Sequence, residues 1–255
     1  MSEAEIARAV RAALEHTPRV NLHRSAVDVR IENGDVVLDG EVERIEEKRV
    51  AVECAKTTAG VRNVVDRLRV RPTTRSGDGA IRDAVCRHLT EEPAFQDLTI
   101  SCRLEGDRDA IVRRLDPANG SIEASVKDGV VTLRGSVVSL AHKRLAGVLA
   151  WWAPGCRDVV NTTAIQPPEP DNDDEIREAI ELVLNKDPIV HSDQVTSRVR
   201  DGRVVLRGVV ATNEEKHMAE TDVWYIEGVR DVVNELDVFR GPGRESMPAS
   251  PPEFE

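Results

Sequence analysis

"DGRVVLRGVV" runs from Asp201 to Val210, and near copies, "NGDVVLDGEV" from Asn33 and "DGVVTLRGSV" from Asp128, stand earlier in the same 255-residue chain. Each copy opens on Asn-Gly or Asp-Gly, the pair that supplies the positive φ angles of a tight two-residue hairpin turn. Each then alternates apolar and polar positions, the pattern of a half-buried strand. The glycines fix the interpretation. Gly34, Gly40 and Gly60 in the first copy correspond to Gly129, Gly135 and Gly155 in the second and to Gly202, Gly208 and Gly228 in the third, with spacings of 6 and then 20 each time. A period kept this strictly marks three homologous units.

Outward from the hairpins the same elements recur. An amphipathic helix precedes each one, with Ile6, Ala9, Val10 and Leu14 matched by Ile81, Ala84, Val85 and Leu89, and by Ile176, Ala179, Ile180 and Leu184. That spacing places them on one helical face. The first strand points Val27, Val29 and Ile31 inward, or Ile122, Ala124 and Val126, or Val195, Ser197 and Val199. The return strand carries Gly40, Gly135 or Gly208 on its inward face, where the missing side chain predicts that a helix backbone crosses close above. A second helix follows, with small core positions at Ala51 and Ala55, Ala146 and Ala150, and Ala219 and Val223. In the third unit Thr212 and Glu215 have capping-box spacing. The helix ends at Gly60, Gly155 or Gly228 before a third strand.

The expected fold is therefore α+β: three tandem α-β-β-α-β modules, each a small three-stranded sheet packed with two helices. Module 1 spans 1–71, module 2 spans 78–166 and module 3 spans 172–240, joined by "RPTTRSGDG" and "QPPEPDND", which have linker composition. Module 2 carries 20 extra residues at about 95–118, within which "LTISCRL" and "AIVRR" flank a turn-like "EGDRD" and predict an added hairpin. The tail, 241–255, is expected to be disordered.

The pattern resembles the BON domain, a module named for bacterial osmotic-stress and nodulation proteins. The resemblance rests on the "DGxVxLxG" hairpin, the alanine-rich second helix and the closing "AGVRNVVD" or "EGVRDVVN". It implies a non-enzymatic, stress-related binding protein that contacts phospholipid membrane surface or protein partners. A self-assembling scaffold whose repeats pack between chains is the alternative.

Composition bounds the rest. Hydrophobic residues make up 40% of the chain and charged residues 32%, enough for cores and too polar for a membrane span. "MSEAEIARAV" lacks the features of a secretory signal, so a cytoplasmic location is expected, at most peripheral at the inner membrane face. Cys54, Cys86, Cys102 and Cys156 form no CxxC pair and are expected as free thiols, disulfides requiring an oxidising compartment. The net charge of -11 argues against nucleic acid as a partner. It is concentrated in module 3, which has 18 acidic against 8 basic residues over 169–239.

No catalytic motif, metal motif or cofactor signature is present. The histidines form no HxxxH or HExxH pattern, and "DNDDE" from Asp171 has the charge that favours a helix start. Asp66, Asn161 and Asn234 recur six residues after the third glycine, where a bond from side chain to nearby backbone is expected. Four of the seven aromatic residues fall in matching slots: Trp151 and Trp152 in module 2, Trp224 and Tyr225 in module 3. Helical geometry sets these at the edge of the buried face or outside it, leaving three roles open: packing between modules, a protein contact, or a lipid headgroup boundary. Lys143, Arg144, Arg113 and Arg114 are the candidate basic contacts to an anionic surface, with a solvated face as their simpler role.

Overall fold

The computed structural model describes all residues except 23, 107–110, 116–117 and 240–255. Module 1 comprises α1 (Glu3–Glu15), β1 (Ala26–Glu32), β2 (Asp35–Val42), α2 (Ile45–Thr57) and β3 (Val64–Val70). Module 2 runs from α3 (Asp78–Glu91) through β4 (Thr99–Leu104), β5 (Ile111–Arg113), β6 (Ser121–Lys127), β7 (Val130–Val137), α4 (Leu140–Trp151) and β8 (Asp158–Asn161) to β9 (Ala164–Ile165). Module 3 repeats the first pattern with α5 (Asp173–Leu184), β10 (Val195–Arg200), β11 (Arg203–Val210), α6 (Asn213–Tyr225) and β12 (Asp231–Val238).

Each module centres on its hairpin. Asn33, Asp128 and Asp201 have φ of 53°, 51° and 50°, and the glycines after them are also positive, the geometry a two-residue turn requires to match the strand twist. β1 lies antiparallel to β2 and β3 parallel to it, an arrangement repeated by β10, β11 and β12. Crossing to a parallel third strand needs a long connection, which the second helix supplies.

Module 2 departs from the expected three-stranded sheet. Its sheet has six strands, ordered β5-β4-β6-β7-β8 with β9 also on β7. The insertion does form a hairpin, its turn lying outside the described residues; β4 pairs parallel with β6 and β5 antiparallel with β4. The added strands thus cover the edge that β1 and β10 leave open in the sister modules, removing an unpaired ladder. β8 and β9 are two short pieces of the expected third strand. At the break the Thr162 N–H and hydroxyl both donate to Leu133 O, each at 2.9 Å.

The inward glycines are also corrected. A Cβ built on Gly40, Gly135 or Gly208 would lie 1.7, 2.2 or 1.8 Å from a carbonyl oxygen of Ala26, Ser121 or Gln194. The close neighbour is therefore backbone at the start of the paired strand rather than a helix crossing above. All three also have positive φ, from 116° to 138°, so the position excludes a side chain twice over.

The predicted capping box is half formed. Thr212 Oγ1 accepts the Glu215 N–H at 3.1 Å, but the Glu215 carboxylate takes the N–H groups of Ala211 at 2.8 Å and His191 at 2.7 Å. Glu47 stands at the same repeat position, accepting from Glu43 N–H at 3.1 Å and Ser25 Oγ at 2.7 Å. Both buried carboxylates therefore tie the segment before the first strand to the start of the second helix. Burial alone would raise the Glu215 pKa, and these hydrogen bonds hold it below the usual value.

Gly208→Ala is expected to lower stability by about 1–3 kcal/mol from the backbone conformation alone, before the clash is added. Exposed Val209→Ala should stay within about 0.5 kcal/mol. Urea unfolding midpoints compare the two; equal midpoints would refute the close-approach account.

Candidate functional site

The three second helices face one another. α4 packs on α5 and α6, α2 packs on α6, and β3 meets β8, so each module touches the other two. The Val70 N–H donates to Arg157 O at 2.8 Å, joining modules 1 and 2 through backbone. Beside it Asp158, nearly fully buried, receives Arg69 at 2.5 Å and Lys48 at 3.2 Å. Lys48, only 4% exposed, also reaches Asp66 at 2.8 Å and donates to Leu68 O at 2.6 Å. The lysine recurs as Lys143 and Lys216. In module 3 Lys216 donates to Leu236 O, the same contact.

The recurrent polar residue does bond to nearby backbone in all three modules. Asn161 Nδ2 donates to Lys143 O at 2.7 Å and Asn234 Nδ2 to Lys216 O at 2.9 Å, while their oxygens accept from Thr163 and Leu236. Asp66 Oδ1 likewise accepts the Leu68 N–H at 3.0 Å; having no side-chain N–H, it pairs with Lys48 where the asparagines donate to the helix.

The aromatic slots meet at the junction of modules 2 and 3. Trp151 stacks on Tyr225 with centroids 5.3 Å apart and planes at 16°. Trp152 Nε1 donates to Asp222 Oδ1 at 2.9 Å. Trp224 is 1% exposed and Trp151 7%, which corrects for these two the expectation of a place at the edge of the buried face or outside it; Trp152 and Tyr225 are half-buried. Arg19 of module 1 lies 5.7 Å above the Trp224 ring and binds Asp231 at 2.6 Å and Val232 O at 3.0 Å.

The basic candidates separate in the same way. Arg144 is 2% exposed, donating to Glu227 O at 2.8 Å and Asp171 at 2.6 Å, so it clamps module 3 instead of facing an outer surface. Arg113 is turned onto the carbonyls of Thr90, Phe95 and Leu98 and holds the insertion against module 2. Lys143 is half-buried and Arg114 exposed.

Between the modules lies a cleft of about 580 Å³, bounded by the starts of α2 and the first linker, the ends of α4 and α6, and the loop after α5. Asp222 and Asp187 both line it. Asp222 is fully buried. Burial, and then a hydrogen bond with the Asp187 carboxyl, push its pKa up to about 8, the Trp152 N–H only partly opposing this. Sequence reasoning missed Asp222, yet the repeat alignment held a signal: its slot is Cys54 in module 1 and Leu149 in module 2. Nothing local marks Asp187, whose role depends on the packed loop. Cys156 beside the cleft is pushed up to about 12 by burial, which keeps its thiol protonated and unreactive. No group of His, Cys, Asp and Glu among the described residues is placed to hold a metal ion, and no helix among them is long and apolar enough to cross a membrane.

The family model of the BON domain matches residues 2–72, 108–167 and 172–239. The chain belongs to the BON-domain family and carries three tandem copies. The second match begins after α3 and β4, because the insertion separates that helix from its hairpin. No curated protein matches the chain. Among solved structures it is similar to the C-terminal domain of CdsD, a structural protein of the type III secretion system of Chlamydia trachomatis, at 15% identity and a TM-score of 0.25, over 94% of this chain and 100% of that one. A second structure of CdsD matches at 15% identity and a TM-score of 0.24, over 92% of each chain.

Trp224→Ala should cost about 3–5 kcal/mol, read as a lowered unfolding midpoint. The raised Asp222 pKa carries a further consequence. Its neutral form favours the folded state, a contribution fully present below the ordinary value of 3.8 and lost as pH rises through about 8. Asp222→Asn should flatten that decline and raise stability at pH above 8 by about 1–3 kcal/mol. Thermal melts of both proteins across the range check the sign.

Proposed function

We propose that the chain is a non-enzymatic, stress-related adaptor whose three joined modules present their outer sheet faces to a phospholipid membrane surface, with protein partners as the second class of target. The supporting observation is the orientation of the modules. The second helices turn toward one another, while charged side chains of the outer sheet faces, including Asp28, Arg30, Arg134 and Arg207, remain exposed.

Module 3 is acidic as a whole, but its outer sheet face carries exposed Arg198, Arg200, Arg203 and Arg207. Arg203 pairs with Asp231 at 3.1 Å and Arg207 with Glu235 at 2.6 Å. Arg198 and Arg200, on edge strand β10, have no ion pair among the described residues. Their local positive strip supports contact with anionic headgroups at short range, where salt screens the rest of the molecule's charge. The scaffold alternative draws on the open edges of β1 and β10, since an unpaired edge can accept a strand from another chain.

Flotation with liposomes tests the lipid arm. The chain should float with anionic and not with neutral vesicles, release on adding salt, and lose most binding in Arg198→Glu/Arg200→Glu. No flotation with either vesicle would remove lipid as the target and leave protein partners. Sedimentation over a concentration series separates the scaffold alternative, which a monomer at every concentration would refute.

A further inference from the structure

The central cleft contains a charge arrangement that the adaptor reading does not use. Asp222 Oδ1 accepts the Trp152 indole N–H, while its buried Oδ2 has no hydrogen-bond donor. Asp187, which accepts the Ile189 N–H at 2.7 Å, offers a second carboxyl that can donate only when protonated. The other charged groups lining the cleft are largely matched. Arg44 pairs with Glu46 at 2.7 Å, and Arg71 with Glu41 at 2.8 Å and Glu43 at 3.8 Å; His217 of α6 also lines it. Among the described residues no Lys, Arg or His pairs with Asp187 or Asp222. The cleft therefore places two carboxyls without a basic partner beside Trp152, Tyr225 and Met218.

Carboxyl groups lacking a cation, next to aromatic rings, are the chemistry that recognises an organic cation. The volume of about 580 Å³ lies within the range of small-molecule sites, about 300–1,000 Å³. We propose that the cleft between the three modules binds a small organic ammonium ion, with the Asp222–Asp187 pair accepting its N–H groups or charge and the aromatic side chains holding its apolar body. Because residues from α2, α4 and α6 all line the space, no single module forms the site.

Binding also fixes a proton balance. Near neutral pH Asp222 is held as the carboxylic acid by burial and by Asp187. When an ammonium enters, the acid O–H bond breaks, the proton leaves to solvent, and the carboxylate accepts the cation. The charged neighbours from the packed elements are Glu46 and Arg44 at the start of α2, Glu43, Arg71, His217 and Asp187.

Isothermal titration of the full chain with benzylamine and choline, beside their uncharged counterparts benzyl alcohol and 3,3-dimethylbutanol, tests this. At least one cation should bind roughly tenfold or more tightly than its neutral counterpart. In buffers of different ionisation enthalpy it should release about one proton near neutral pH. Asp222→Asn should lose the preference for the cation and the proton release while melting as a folded protein. If that variant fails to fold, Asp187→Asn carries the comparison. Equal affinity for charged and neutral probes, or a cation preference unchanged in the folded variant, would overturn the proposal. The readouts are independent of liposome flotation, so the site and the adaptor function stand or fall separately.

Discussion

The arrangement of the molecule depends on helix α4 being buried on more than one side. It packs on β7 and β8 of its own module and on α5 and α6 of module 3, with Arg144, Leu145, Ala146, Val148, Leu149, Ala150 and Trp151 all buried. A surface helix needs only one apolar stripe; α4 is apolar nearly all round because two modules use it. A unit of about 60 residues buries only about 60% of the surface its unfolded chain exposes and is marginal alone. Sharing a helix supplies the missing burial, and a continuous core runs through modules 2 and 3. Module 1 keeps a separate core of its own, from Val10 to Leu68, and joins through ion pairs, one backbone hydrogen bond and α2.

Two buried carboxylates show opposite electrostatic solutions at these junctions. Asp158 lies between modules 1 and 2 with Lys48 and Arg69 both bound to it, so the desolvation of each charge is offset by a close partner. Asp222 lies between modules 2 and 3 with a neutral indole and another acid. The inexpensive state there is the protonated one. The first junction is fixed by charge pairing, whereas the second remains responsive to pH and to any cation that can reach it.

The insertion and the aromatic residues serve packing before they serve partners. β4 and β5 extend the module 2 sheet over an edge that stays open in modules 1 and 3. That leaves β1 and β10 as exposed edges flanking outer faces rich in charge. In the proposed function, contacts with a membrane or a protein fall to the sheet surfaces, since Trp151 and Trp224 are buried inside the molecule.

Local rules made the repeat legible. Asn-Gly and Asp-Gly turns, the inward glycines and the alternating valines specify each hairpin through backbone sterics that neighbouring modules barely influence, and the capping at Thr212 could be read at the same level. The exact partner of Gly40, Gly135 and Gly208 could not, because a missing Cβ announces a close approach without saying from which direction. Likewise the slots of Trp151, Trp152, Trp224 and Tyr225 lie at the margin of a helical stripe, where neighbouring modules decide how far a side chain is covered: fully for Trp151 and Trp224, by half for Trp152 and Tyr225. Asp187 and Asp222 become a pair only when a loop and a helix separated by 35 positions pack beneath a tryptophan from another module. The amino-acid sequence by itself determined three copies of one α+β unit, since turn and strand preferences act over a few residues. The tertiary structure alone decided which surfaces are left for function, since burial depends on what the remaining modules cover.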